Sequence, residues 1–250
     1  MSALAISVPS VVVTWSSAAS DSEEIAPVSA SAKHSGPTVA RRDAQVSQRG
    51  ANTLLVIGDS ITSRFNDKRG AKNQGFWSIL ADSVGAKPKT YAQGGAGFVN
   101  PGLVRCKGYN FSQQVARPAV REMVIAAGAL VIEGGRNDTR TCVKGGYADV
   151  SNAKLKRAVN SFMRQIRALR GRDDCTIVLL PWGPRGEENR DRITPIIRKA
   201  ARKQGFTFVN TMGLITKQRA LADKVHPNRA GNVALSKRIL AKSFARACFY

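Results

Sequence analysis

The chain has 250 residues, 43% of them hydrophobic and 22% charged, enough to bury a full-sized core, which excludes both a disulfide-held miniprotein and a wholly disordered chain. Lys and Arg number 39 against 17 for Asp and Glu, a net charge of +22 whose field favours anionic company. Aromatic residues are only 6%, thin for stacking single-stranded bases. With no helix-turn-helix, finger or RNP-like motif beside the charge, no specific nucleic-acid partner is expected.

Residues 3–13 form an apolar stretch broken by Ser7, Pro9 and Ser10, followed by small residues and then by Asp21, Glu23 and Glu24. The stretch is far shorter than the roughly 20 apolar residues that cross a bilayer, so no transmembrane span is expected. Its layout is that of a secretory signal peptide lacking the positive n-region, and residues 1–20 read as an atypical signal peptide or a disordered leader. Residues 21–50 hold too little apolar surface to offset their ordering entropy and read as a flexible linker. Basic and acidic residues balance over residues 1–50, so the whole net charge falls on residues 51–250.

From residue 51 onward short apolar runs alternate with longer amphipathic ones, the βαβ pattern of a parallel sheet covered on both faces. Strands are expected at 53–57, 89–92, 130–133, 176–180 and 207–209. The clearest helix is 151–170, where Leu155, Val159, Phe162, Ile166 and Leu169 recur at helical spacing opposite a basic face. Further helices are expected at 185–203 and 228–244, and Pro195 implies a late start or a kink in the first of these. Open sheets of this kind bind ligands at the carboxyl ends of their strands. The polar segments gather there: Gly58-Asp59-Ser60, the glycine-rich 94–97, Gly134-Gly135-Arg136-Asn137-Asp138, and Asp223 to Pro227.

Ser60 directly follows an apolar strand, which sets a hydroxyl beside backbone N–H groups and suits a nucleophile next to an oxyanion donor. A serine hydroxyl needs a base, and His226 is the histidine of the folded part. Asp223, three residues earlier, is placed to take the imidazole N–H and fix its tautomer. The Asn137 amide and the Gly97 N–H are candidate donors to an oxyanion beside the Ser60 N–H. Each segment also has a plainer reading. Gly-Asp-Ser can be only a turn and helix cap, Asn-Asp only a turn, and a histidine before proline only a surface loop residue. Their joint occurrence at strand ends favours chemistry. The 94–97 segment has neither dinucleotide-binding nor Walker spacing, and the cysteines lack any C-x-x-C pair, so neither a cofactor nor a metal is expected.

These four segments, in this order, resemble the blocks of the GDSL, or SGNH, hydrolases: Gly58-Asp59-Ser60, the glycine block ending at Gly97, Gly135-Arg136-Asn137-Asp138, and Asp223-x-x-His226 before Pro227. The resemblance implies an α/β fold, a three-layer α/β/α sandwich with a five-stranded parallel sheet, flavodoxin-like in style. It implies a triad of Ser60, Asp223 and His226 and an oxyanion hole of the Ser60 N–H, the Gly97 N–H and Asn137. It also implies hydrolysis of acetyl or other short acyl esters on carbohydrate, or of lipid esters. Two positions depart from the family pattern. Ala92 stands where the second block often has Asn, which leaves Gly95 as a rival to Gly97, and Ile61 stands where many members have Leu. The nucleophile elbow of the other large serine-hydrolase fold is absent because position 62 is Thr.

Arg136 and Arg140 flank Asn137 in sequence, and Arg185 and Lys144 fall in neighbouring loops. Arg136 is therefore a candidate substrate-binding residue for an acylated, anionic small molecule or envelope glycan. The alternatives are acyl transfer by the same triad and a non-catalytic basic wall-binding module. The location is expected to be secreted or cell-envelope, otherwise cytoplasmic. If the chain is exported, Cys106 is expected to join Cys142 across the cleft rim and Cys175 to join Cys248; in a reducing compartment all four remain thiols. Oligomeric state is not legible.

Overall fold

The run Leu54-Leu55-Val56-Ile57 sends alternate side chains to opposite sides, and all four are fully buried, so this strand must be covered on both faces. It is the centre of β1 (Gly50–Gly58) in a computed structural model that describes residues 50–102, 106–144, 146–171, 175–242 and 248. The leader and all but the last residue of the linker lie outside the described residues, as do 243 and 244 of the last expected helix. The described residues fall within a unit spanning Ala40–Tyr250.

β1 is joined by β2 (Lys87–Ala92), β3 (Ala127–Glu133), β6 (Thr176–Leu179) and β7 (Thr207–Val209). They form one five-stranded sheet in the order β2-β1-β3-β6-β7, every pair parallel. β4 (Arg140–Val143) and β5 (Gly146–Asp149) pair as a separate antiparallel hairpin. The helices are α1 (Ser60–Ser63), α2 (Phe76–Val84), α3 (Phe111–Ala116), α4 (Pro118–Ala126), α5 (Asn152–Arg170), α6 (Arg190–Lys203) and α7 (Arg229–Leu240).

Leu54, Val56, Val131 and Leu179 pack with Phe76 and Leu80 of α2 and with Leu235 and Ile239 of α7. Leu55, Ile57, Ile132 and Val178 pack on the other side with residues of α3 to α6, including Phe111, Val124, Phe162 and Ile197. The result is a three-layer α/β/α sandwich. The expected apolar stripe of α5 is core, with Leu155, Val159, Phe162 and Ile166 fully buried.

All five expected strands are present, and the first three begin earlier than the apolar pattern suggests. Their leading residues are glycine, alanine, proline or polar, so they pair by backbone without an apolar signature. Pro88 is accommodated because β2 is an edge strand, with no partner on its outer side among the described residues. α6 starts late, at Arg190, after a 3₁₀ turn over Glu187–Asn189, and still contains Pro195. α2, α3, α4 and the hairpin were not legible individually. Disulfides join Cys106 to Cys142 and Cys175 to Cys248, with Cα separations of 5.7 and 5.4 Å. Among the described residues no helix is long and apolar enough to cross a membrane, and no acidic, histidine or cysteine cluster has metal-holding geometry.

Candidate active site

The chain leaves β1 toward one sheet edge and returns at β3 on the other side, so the loops after these two strands splay apart and open a crevice. Asp59 caps α1, its Oδ1 accepting the Ile61 N–H at 2.8 Å, which sets Ser60 as the first helical residue. Asp59 Oδ2 accepts from Asn137 Nδ2 at 2.9 Å. Below them Glu133, at the end of β3, accepts from Thr62 Oγ1 at 2.9 Å and from the Asp59 N–H at 3.3 Å. Position 58 must be glycine for this approach, since a Cβ there would lie 2.8 Å from Glu133 Oε2.

Asp59 and Glu133 are both fully buried. Burial pushes the Asp59 carboxyl up to about 6, against the lowering effect of the Ile61 N–H and the Arg136 charge. Burial, reinforced by the Asp59 charge, pushes Glu133 well above the usual carboxylate range.

The Asp223–His226 turn is closed by the Asp223 carboxylate, whose Oδ1 accepts the N–H groups of Val225 and His226 at 2.9 and 3.0 Å. Lys224 takes a left-handed backbone, φ 57°, at a cost of about 1 kcal/mol for a non-glycine residue. Its N–H bond to the Leu221 carbonyl (2.9 Å) and its carbonyl bond from the Arg185 N–H (3.0 Å) hold it there. Asp223 Oδ2 lies 2.8 Å from His226 Nδ1. Burial alone would raise the Asp223 carboxyl, but the hydrogen bonds from His226 and Val225 outweigh it and hold the group well below the usual carboxylate range.

Arg64, not anticipated from sequence, adds a third member to this pair. Its Nη1 is 2.9 Å from Asp223 Oδ2 and 3.2 Å from His226 Nδ1. An Nδ1 that carries a proton donates to Asp223 and accepts nothing from Arg64, so the ionised carboxylate takes both donors. Nε2 is then the acceptor nitrogen. It is buried and, among the described residues, has no hydrogen-bond partner.

Ser60, His226 and Asn137 line one cavity of about 980 Å³, together with Gly95, Arg136 and Trp182. Both Asn137 amide N–H groups are engaged in this state, one with Asp59 and one with the Ala96 carbonyl at 2.9 Å. The Gly97 N–H donates to the Asn100 carbonyl at 2.9 Å, and Gly97 is not among the residues lining the cavity. Glycine is needed at 97 for another reason. A Cβ there would lie 2.5 Å from Asp138 Oδ1, and that buried carboxylate accepts the N–H groups of Phe98, Val99 and Asn100 at 2.7 to 3.0 Å. Gly95 is the glycine that borders the cavity, and among the described residues no acceptor takes its N–H.

Arg136 donates from Nη2 to the Arg185 carbonyl at 2.7 Å and lies over the Trp182 ring at 5.6 Å. Burial lowers its pKa, opposed by Asp59, Glu133 and Asp223. The signal for Arg64 was its spacing four residues after Ser60, which puts its backbone N–H on the Ser60 carbonyl at 3.1 Å. Glu133 gave none, being the last residue of an otherwise apolar strand.

The GDSL-like lipase/acylhydrolase family matches residues 56–234, nearly three quarters of the chain. No curated protein matches. Among solved structures, the chain is similar to an alpha/beta hydrolase enzyme from the metagenome of Lake Arreo, Spain, at 16% identity, TM-score 0.57, covering 82% of this chain and 99% of that one. An acetyl xylan esterase from Geobacillus stearothermophilus aligns at 17% identity, TM-score 0.55, over 77% and 94%. A carbohydrate esterase family 2 enzyme of Corynascus thermopiles, with its carbohydrate-binding domain, aligns at 19% identity, TM-score 0.52, over 81% and 68%. At these identities the likeness is one of fold.

Proposed function

The chain belongs to the GDSL-like lipase/acylhydrolase family and is a serine ester hydrolase, and on that premise we propose that it removes short, acetyl-type acyl groups from carbohydrate or cell-envelope material, with Ser60, His226 and Asp223 as the catalytic triad. The observation that carries this reading is the state of His226. Its Nδ1 is tied to Asp223 at 2.8 Å, while its Nε2 is left unpartnered among the described residues beside the cavity that Ser60 also lines.

In the proposed reaction Ser60 Oγ attacks the ester carbonyl carbon as its proton passes to His226 Nε2. The carbonyl π pair moves onto oxygen, and that oxyanion is met by the Ser60 N–H and by the Gly95 N–H in place of Gly97. Asn137 serves as a third donor once the oxyanion replaces the Ala96 carbonyl as acceptor for one of its N–H groups. Collapse expels the alcohol, which takes the proton from Nε2 and leaves an acyl-Ser60 ester. Water attacks that ester with its proton going to Nε2, and Ser60 Oγ then leaves as the alcohol. Asp223 holds the tautomer and offsets the imidazolium charge.

Arg136 and Arg185 line the cavity, which favours a substrate bearing negative charge near its ester. Two of the structurally similar proteins are a carbohydrate esterase and an acetyl xylan esterase, which supports a glycan leaving group here. The two disulfides support a secreted or envelope location. The test is acetate release by the full chain from a small acetyl ester and from an acetylated acidic glycan, with Ser60→Ala at matched concentration. Release lost in the variant supports the reading, and release unchanged by it would overturn the triad.

A further inference from the structure

Half of the net charge sits on two neighbouring helices. α5 carries six basic residues and no acidic one, and α6 carries six basic residues and one acidic, Asp191, a net +11 of the chain's +22. Asp191 is taken by Arg190 at 3.1 Å, and Arg170 is turned into the core. A solvated helix face usually interleaves both signs at i, i+4; here Lys199 and Lys203 stand at that spacing with like charge, which is destabilising.

Between these helices runs a groove of about 1000 Å³. Its walls are Lys156, Arg157 and Arg164 from α5 and Lys199 and Lys203 from α6, all exposed. Among the described residues none of the five has an acidic partner. The groove also presents the apolar or small Ala153, Pro195, Ile196 and Ala200, and the polar Asn160 and Ser161. From Ala153 to Ser161 and Arg164 the lining follows one face of α5 for about 16 Å. It shares no lining residue with the catalytic cavity, yet begins at that cavity's rim. Arg192 and Val150 line the cavity, and Arg192 Nη1 donates to the Val150 carbonyl and to Asn152 Oδ1 at 2.9 and 3.1 Å, clasping the start of α5 to the start of α6.

We propose that the groove between α5 and α6 docks a linear acidic polysaccharide and leads it to the catalytic cavity. Carboxylates meet the five cations, the apolar faces of sugar rings meet the alanines, Pro195 and Ile196, and hydroxyls meet Asn160 and Ser161. A nucleic acid fits less well, because no lining residue is aromatic and base stacking has no platform. The direction of the polymer toward Ser60 rests on the esterase reading; the docking itself does not.

The test uses the full chain and unesterified polygalacturonate, which offers no ester to cleave. Affinity is measured by titration calorimetry for the wild type, for the triple variant Lys156→Glu, Lys199→Glu, Lys203→Glu, and for a charge-matched control, Lys68→Glu, Lys87→Glu, Lys89→Glu, at exposed positions outside both cavities. The groove variant is expected to bind about tenfold or more weakly and the control less than about threefold, with wild-type binding falling as salt rises. If the groove variant does not fold, the corresponding Lys→Gln triple is measured in its place. Equal losses in both triples, or none in the groove triple, would overturn the proposal. So would single-stranded DNA binding more tightly than polygalacturonate with the same dependence on the groove. Ser60→Ala separates the two readings: it should bind the polymer as the wild type does, and an inactive wild type that still shows the groove-dependent affinity would refute the esterase chemistry while leaving the docking site intact.

Discussion

The two sides of the cavity lined by Ser60 and His226 are held together by opposite electrostatics. On the strand side, Asp59, Glu133 and Asp138 are buried carboxyls, each pushed upward by desolvation and each locked by short-range hydrogen bonds to the loops that carry Ser60, Asn137 and the glycine block. On the loop side, Asp223 is held low by its hydrogen bonds and meets a half-exposed Arg64. A buried network breaks at a high cost because its freed donors find no water, whereas an exposed ion pair is screened and exchanges readily. The loop carrying Ser60, the proposed nucleophile, therefore stands on a rigid floor, and His226, the proposed base, stands on an adjustable arm.

The sharpest way to break this contrast is at the reacting groups. Ser60→Ala should lower kcat by a factor on the order of 10⁴ or more with an unchanged urea midpoint, as expected when a triad nucleophile is removed. The next largest effect falls on the floor. Asp138→Ala strands three backbone donors, at Phe98, Val99 and Asn100, and should cost about 3 kcal/mol in equilibrium unfolding.

The contrast sharpens with pH. Asp59 and Asp138 sit at about 6 in the folded state, above the ordinary 3.8, so the folded protein holds protons that the unfolded chain has released. Their contribution to stability should rise by about 1 kcal/mol per group as pH falls from 7 to 5, while Asp223, shifted the other way, loses its stabilising contribution only as pH falls below the unfolded carboxylate range. Glu133→Gln mimics the protonated acid and should flatten the wild-type dependence as pH rises above the ordinary glutamate value, while keeping turnover. Urea midpoints measured across pH for both proteins decide this.

The smallest effect belongs to the arm. Arg64→Ala should change stability by less than about 1 kcal/mol, since the pair with Asp223 is half exposed. Removing the cation leaves the Asp223 Oδ2 contact to His226 Nδ1 in place, so turnover should fall only in part, and Arg64→Lys should recover most of it. An Arg64→Ala protein that loses activity as completely as Ser60→Ala would show that the arm is as rigid as the floor.

The sequence by itself determined what depends on local pattern. The apolar runs 53–57, 130–133 and 176–180 and the stripe of α5 mark the sheet and its covering layer, because period and burial are written in consecutive residues. The four polar blocks at strand ends mark the crevice for the same reason. Only the packed fold settles which backbone N–H groups are spent and which have no acceptor among the described residues: the Gly97 N–H goes to the Asn100 carbonyl while Gly95 lines the cavity, a difference of two residues in one loop. It alone brought Arg64 to Asp223 and Glu133 to Asp59, pairs separated by 159 and 74 residues. It also laid the basic faces of α5 and α6 side by side as one groove. Hydrogen-bond satisfaction and charge proximity act through space, and the distance between residues along the chain carries no record of them until the sheet has set its strand order.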